Sequence, residues 1–212
     1  PTLIRSDASM SVVSGLEEHR INFPRLIIQS VPKRFYPDGP AVASFVGYTG
    51  EVTDADLNSP AYEGYKPGQL VGKGGIEKEY EEVLRGREGV RYDEVDARGR
   101  QVRQATPRLD LNPEPGPALH TNIDLDLQRY VAAVFGDSLV GGAIALDPRD
   151  GGVLALYSAP SYDVNKFTGG IPADYWKGWL ADDRRPLVNK VTQGRYPPGS
   201  TFKLATAVTG LE

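Results

Sequence analysis

Cysteine is absent from this 212-residue chain, so neither a disulfide framework nor a thiolate zinc site can be built. That absence suits an exported protein as well as a cytosolic one and assigns no compartment. Histidine is nearly absent too. His19 and His120 stand far apart, neither beside a cluster of other ligand types, which fits surface or structural histidines rather than a metal centre. No metal and no other cofactor is expected, and a Ser-His-Asp triad has no suitable histidine. Positive charge is not in excess: the formal net charge is −4, which removes the electrostatic case for nucleic-acid binding. No apolar run approaches the roughly 20 residues a membrane helix needs. No signal peptide, internal repeat or low-complexity tract is visible. The chain opens at Pro1 without an initiator methionine and closes at Leu211-Glu212 within an apolar segment. We expect an internal piece of a longer protein, whose membrane anchor would lie outside these residues.

What is present is a chain able to form a core, with 40% hydrophobic residues, and one rich in turns, with 24 glycines and 17 prolines. In the first half, Asp7 is placed to cap a helix through Met10, Val12, Val13, Leu16 and Glu17. Leu26-Ile27-Ile28 with Val31 reads as a short strand. Pro40 opens a helix over Ala41–Val46, which Gly47 ends. Residues 50–72 read as loop. Ile76, Tyr80, Val83 and Leu84 share one face of a helix that Gly86 stops. Val90–Glu94 and Gln101–Gln104 flank a hairpin turn, Asp96-Ala97-Arg98-Gly99-Arg100. Pro107, Pro113, Pro115 and Pro117 then stiffen a segment that suits neither helix nor central strand, the best domain boundary in the chain. Beyond it, Asp124 caps a helix with Leu127, Tyr130, Val131, Val134 and Phe135 on one stripe. Gly142–Leu146 and Val153–Tyr157 read as two buried strands of a hairpin around Asp147–Gly152. Residues 158–196 look irregular, with Trp176 and Trp179 packing. The last element is an apolar, buried helix from Ser200.

Two segments match Ser-x-x-Lys, the spacing of an acyl-enzyme serine and its lysine base. The chemistry needs both side chains on one helix face, where residues three apart are neighbours. In Ser30-Val31-Pro32-Lys33, Pro32 holds Val31 away from helical geometry, so Ser30 and Lys33 diverge and the match is set aside. In Ser200-Thr201-Phe202-Lys203, Pro197-Pro198-Gly199 forms a rigid turn and a helix follows. Ser200 then lies in the first turn, among free backbone N–H groups at the positive end of the dipole. Lys203, if neutral, would take the hydroxyl proton as Ser200 attacks a carbonyl. Burial and nearby positive charge would have to lower its pKa from about 10.4.

The run Tyr196-Pro197-Pro198-Gly199-Ser200-Thr201-Phe202-Lys203 resembles the first motif of class B penicillin-binding proteins. Gly47-Tyr48-Thr49-Gly50-Glu51-Val52, Gly72 to Glu81, Leu84-Arg85-Gly86 and Glu94 to Arg103 resemble that family's dimerisation (pedestal) domain. Thr121-Asn122-Ile123-Asp124 with Leu127-Gln128, Ala145-Leu146-Asp147-Pro148 and Arg185-Pro186-Leu187-Val188-Asn189-Lys190 resemble the start of its transpeptidase domain. The similarity covers nearly the whole chain in the family's order. The Tyr-Pro-Pro-Gly form points to the elongation-type branch, penicillin-binding protein 2.

The resemblance implies an α+β architecture: a pedestal over residues 1–110, a proline-rich connector over 111–118, and over 119–212 the opening part of an α/β transpeptidase domain ending in the Ser-x-x-Lys helix. It implies a D,D-transpeptidase of the bacterial inner membrane, acting on the periplasmic side on D-alanyl-D-alanine stem peptides and acylated by β-lactams. Ser200 would be the nucleophile and Lys203 its base. Implied partners are a RodA-type SEDS glycosyltransferase and elongation proteins such as MreC. The family's second and third motifs, Ser-x-Asn and Lys-Thr/Ser-Gly, occur nowhere in the 212 residues, so these residues alone are expected to be inactive. A non-catalytic pedestal module that binds the glycosyltransferase is the alternative. A serine β-lactamase or β-lactam sensor is a weaker one, since the pedestal-like first half argues against it.

Overall fold

The structure, a computed structural model, describes residues 4–5, 8–28, 33–90, 92–95, 101–104, 111–168 and 170–211. The chain divides into two compact units: residues 1–121 with 163–176, and residues 122–162 with 177–212.

The first unit begins with helix α1 (Met10–Glu18), whose N-cap is Ser9; the expected cap Asp7 lies outside the described residues. Leu26, Ile27 and Ile28 form no strand. They lack a pairing partner among the described residues, and Ile27 is largely exposed. Val31 and the set-aside Ser30 also lie outside the described residues. Helix α2 (Gly39–Val46) has proline in its first turn and ends at Gly47, whose φ is 76°. The stretch read as loop contains a sheet: β1 (Thr49–Glu51) pairs antiparallel with β2 (Leu70–Gly72). Helix α3 (Asp54–Leu57) lies between them, capped reciprocally by Thr53 and Asp56. The Asp56 carboxylate also accepts from Lys73, and the bonds from Lys73 and Thr53 hold it far below the usual carboxylate range.

The single helix expected around Tyr80 is two, α4 (Gly75–Glu79) and α5 (Glu81–Leu84). The break coincides with a tether. Glu81 Oε2 accepts the Gly72 N–H at 2.6 Å, and Oε1 accepts the Tyr65 hydroxyl at 3.1 Å. Tyr80 and Val83 are exposed, whereas Glu77 is buried. Its Oε1 accepts from the Tyr36 hydroxyl at 3.0 Å and pairs with Arg34 Nε at 3.1 Å. Burial, then the Glu77 charge, pushes the Tyr36 phenol far above its ordinary value. Around this lies the unit's core of Val42, Ala43, Val52, Val71, Val164 and Phe167. Phe167 stacks on Tyr48 with ring centroids 4.1 Å apart.

The expected hairpin is present as β3 (Asp93–Val95) paired with β4 (Gln101–Gln104); its turn, 96–100, lies outside the described residues. Val90 is not part of it and bridges Leu111, as Arg87 bridges Glu114. The residues between the prolines therefore lie against 87–90, within the first unit.

In the second unit, helix α6 (Leu125–Phe135) is capped by Asp124, whose Oδ1 accepts from the Asp126 and Leu127 N–H groups at 3.1 and 3.0 Å. Its buried side differs from the expected stripe: Tyr130 and Val134 are exposed, and Gln128 is fully buried. Gln128 reads the hairpin backbone as a strand would. Its Oε1 accepts the Leu156 N–H at 2.8 Å and its Nε2 donates to the Leu156 carbonyl at 2.9 Å. That hairpin is β5 (Gly141–Leu146) antiparallel to β6 (Val153–Ala159). β6 is the more buried strand. Ile144 and Leu146 of β5 face out, contrary to two fully buried strands. Phe135 meets Tyr157 edge-on at 5.5 Å.

After β6 the chain is less irregular than expected. A 3-10 turn over Val164–Phe167 returns to the first unit, and helix α7 (Ala173–Ala181) leads from the first unit into the second. Trp179 packs on Tyr162 at 5.6 Å, while Trp176 is 39% exposed. Among the described residues no helix is long and apolar enough to cross a membrane, and no group of three or more His, Asp or Glu could hold a metal ion.

Candidate active site

Ser200 sits on a 3-10 turn, Gly199–Thr201, that opens directly into helix α8 (Phe202–Leu211), where Lys203 is the second residue. The local cause is legible. Pro197 and Pro198 have fixed φ, and Gly199 takes a positive φ of 53° that a side chain would strain. Thr201 closes the turn on the Pro198 carbonyl through its N–H at 3.2 Å and its hydroxyl. The serine therefore stands one turn before the lysine, at the helix N-terminus, with its backbone N–H outside the α-helical ladder.

Ser200 and Lys203 are both exposed, and neither side chain has a hydrogen-bond partner among the described residues. α8 carries no buried residue: Leu204 is 77% exposed and Leu211 88%. This corrects the expectation of a buried helix. Its apolar residues face solvent because no element of the described residues covers them.

The approach to Ser200 is more tightly built. Asp182 receives the Arg184 N–H at 2.9 Å and its guanidinium at 2.8–3.2 Å, and these bonds hold the carboxyl below its ordinary range. Arg184 also donates to the Asp137 carbonyl at 3.1 Å. Asn189 shapes the next turn: its Oδ1 accepts from the Val191 and Thr192 N–H groups at 3.1 and 3.2 Å. Ser158 of β6 accepts the Lys190 N–H at 2.9 Å. A Cβ on Gly142 of β5 would meet Val191 Cγ2 at 2.8 Å, so the hairpin presses directly on this turn. Sequence reasoning quoted Asn189 and Lys190 only as part of a resemblance and did not single out Ser158. Their signal was a buried polar pair separated by 32 residues, which no local pattern reveals.

Comparison with known proteins gives a consistent result. Residues 1–121 match the family profile described as "Penicillin-binding Protein dimerisation domain", and residues 141–212 that of "Penicillin binding protein transpeptidase domain". The chain is 36% identical to the peptidoglycan D,D-transpeptidase MrdA of Escherichia coli K12, over 98% of this chain and 33% of that protein. Among solved structures it is similar to penicillin-binding protein 2 in its complex with MreC from Helicobacter pylori. The TM-score is 0.82 at 27% identity, covering 99% of this chain and 40% of that one. It is also similar to penicillin-binding protein 2 of Pseudomonas aeruginosa, with a TM-score of 0.64 at 33% identity over 86% of this chain and 36% of that one. The chain spans about a third of the length of the curated relatives it matches.

Proposed function

The chain belongs to the penicillin-binding proteins that join a dimerisation domain to a transpeptidase domain, and from that premise we propose that the protein is a peptidoglycan D,D-transpeptidase of cell elongation with Ser200 as its nucleophile. The observation that carries the proposal is Ser200 on the turn that opens α8, three residues before Lys203, inside the segment that matches the transpeptidase profile.

In the proposed reaction, neutral Lys203 accepts the Ser200 hydroxyl proton as Oγ bonds to the penultimate D-alanine carbonyl carbon. The Ser200 N–H supplies one donor to the developing oxyanion. The C–N bond to the terminal D-alanine breaks, and that residue leaves with the proton. An amine of a neighbouring stem peptide then attacks the ester, and Ser200 regains its proton. A β-lactam would enter the same first step, with ring opening in place of departure of D-alanine. We read residues 1–110 as the pedestal, 111–118 as the connector and 119–212 as the start of the catalytic domain. The setting is the periplasmic face of the bacterial inner membrane, beside a RodA-type glycosyltransferase and MreC.

Fluorescent penicillin tests the reading. The full-length protein should take one label per chain, and Ser200→Ala should abolish it, with intact mass giving the stoichiometry and mass analysis of a proteolytic digest placing the adduct on the Ser200 peptide. Residues 1–212 alone, which lack Ser-x-Asn and Lys-Thr/Ser-Gly, should stay unlabelled. Label retained in Ser200→Ala would refute the assignment. A second reading, a pedestal that recruits elongation proteins independently of catalysis, is favoured by the similarity to a structure in which the relative is bound to MreC.

A further inference from the structure

Lys190 is buried, 8% exposed, and the proposed chemistry does not use it. Lysine is seldom buried unless its ammonium is paired or hydrogen-bonded. Here Nζ donates to the Arg185 carbonyl at 3.0 Å, and Arg185 itself holds a left-handed φ of 53°. The Lys190 N–H donates to Ser158 Oγ at 2.9 Å, and that hydroxyl, 4% exposed, donates to the Val188 carbonyl at 3.2 Å. Downstream, a Cβ on Gly194 would stand 2.3 Å from the Lys190 carbonyl oxygen and 2.4 Å from Tyr196 Cε2. Lys190 is thus held upstream through its ammonium, sideways to β6 through its N–H, and downstream by the close passage of Gly194 and Tyr196. Burial lowers its pKa, while the charge of Asp182 opposes that shift.

We propose that Lys190 is a positioning residue for Ser200: by fixing the turn from Arg185 to Gly194, it sets where Tyr196-Pro197-Pro198-Gly199 delivers the nucleophile. The inference rests on the reading of Ser200 given above. Two prolines lie between the fixed turn and the serine, so few backbone torsions are left to absorb a displacement. A misplacement of about 1 Å at a reacting atom can cost about 100-fold in rate. A side chain that only stabilised the fold would instead change the amount of competent protein.

The test uses the full-length protein and time courses of acylation by fluorescent penicillin. These are resolved into the noncovalent dissociation constant and the first-order acylation rate. Lys190→Met should slow the acylation rate about 10- to 100-fold, with the dissociation constant changed less than about threefold. Lys190→Arg should restore the rate, because a guanidinium can still donate to the Arg185 carbonyl. The proposal is overturned if Lys190→Met acylates at the wild-type rate, if its losses only track the folded fraction, or if arginine does not rescue. Should Lys190→Met fail to fold, Ser158→Ala decides: it removes one hydroxyl from the same clasp. A slower acylation step at unchanged Tm supports the proposal, and a wild-type rate refutes it. Label that persists in Ser200→Ala removes the nucleophile assignment and this inference with it. Label lost in Ser200→Ala beside a normal Lys190→Met removes the positioning role alone.

Discussion

At Gly72 a Cβ would stand 1.9 Å from the Glu77 carbonyl oxygen, and at Gly47 a Cβ would stand 1.9 Å from that of Gly74. Both obstructions are backbone, which cannot swing aside. These glycines let β2 and the turn after α2 press on α4, which keeps Glu77 beneath Tyr36 and Arg34. Gly68 is a different case: its φ is +85°, and a Cβ there would meet nothing within 4 Å. The two kinds of glycine predict two sizes of effect. Gly68→Ala should cost only left-handed strain, about 1–2 kcal/mol. Gly72→Ala adds a backbone collision to be relieved by shifting α4, so it should cost about 3 kcal/mol or more, at the upper end of overpacking. Native-state amide exchange of the full-length protein, read at Val71 and Lys73, would measure both. Equal losses of protection in the two variants would show that the close approach at Gly72 carries no weight.

Among elements, those with caps were legible. Pro40 and Gly47 bracket α2, Asp124 starts α6, and the Asp147–Gly152 turn joins β5 to β6. The turn and helix that carry Ser200 and Lys203 were legible for the same reason: proline, glycine and a three-residue spacing are local signals. What escaped was set by distant partners. β1 and β2 are three residues each and too short for periodicity, and they pair across a stretch that holds α3. The Glu81 tether that coincides with the α4–α5 break reaches back to Gly72, and the Ser158–Lys190 clasp spans 32 residues. Leu26–Ile28 failed conversely, with apolar character but no strand to join among the described residues. α8 shows how far composition reaches. A helix apolar on all sides signals burial, yet Phe202 and Val208 are 60% and 61% exposed. Such a surface is adhesive. Residues 1–212 alone should bind a hydrophobic-surface dye more strongly than residues 1–198, which lack α8. Dye fluorescence at matched concentration checks this; equal signals would mean that α8 covers its own apolar face.

The chain divides into two compact units, to which the proposed function gives different tasks. The first unit holds the buried Tyr36–Glu77–Arg34 cluster and the sheet of β1 and β2. The second holds Ser200, Lys203 and the turn fixed by Lys190. If recruitment of elongation proteins belongs to the pedestal, binding and acylation should separate cleanly in variants of the full-length protein. Ser200→Ala should then bind MreC with wild-type affinity while taking no penicillin, because it removes a single hydroxyl of the second unit and alters no residue of the pedestal. Deletion of residues 1–110 should abolish MreC binding. Isothermal titration of MreC into each variant measures the first property, and gel fluorescence of bound penicillin the second. Wild-type MreC affinity in the deletion variant would place recruitment outside the pedestal and refute the division of labour. A loss of affinity in Ser200→Ala would do the same from the other side, since it would tie the partner to the catalytic turn itself.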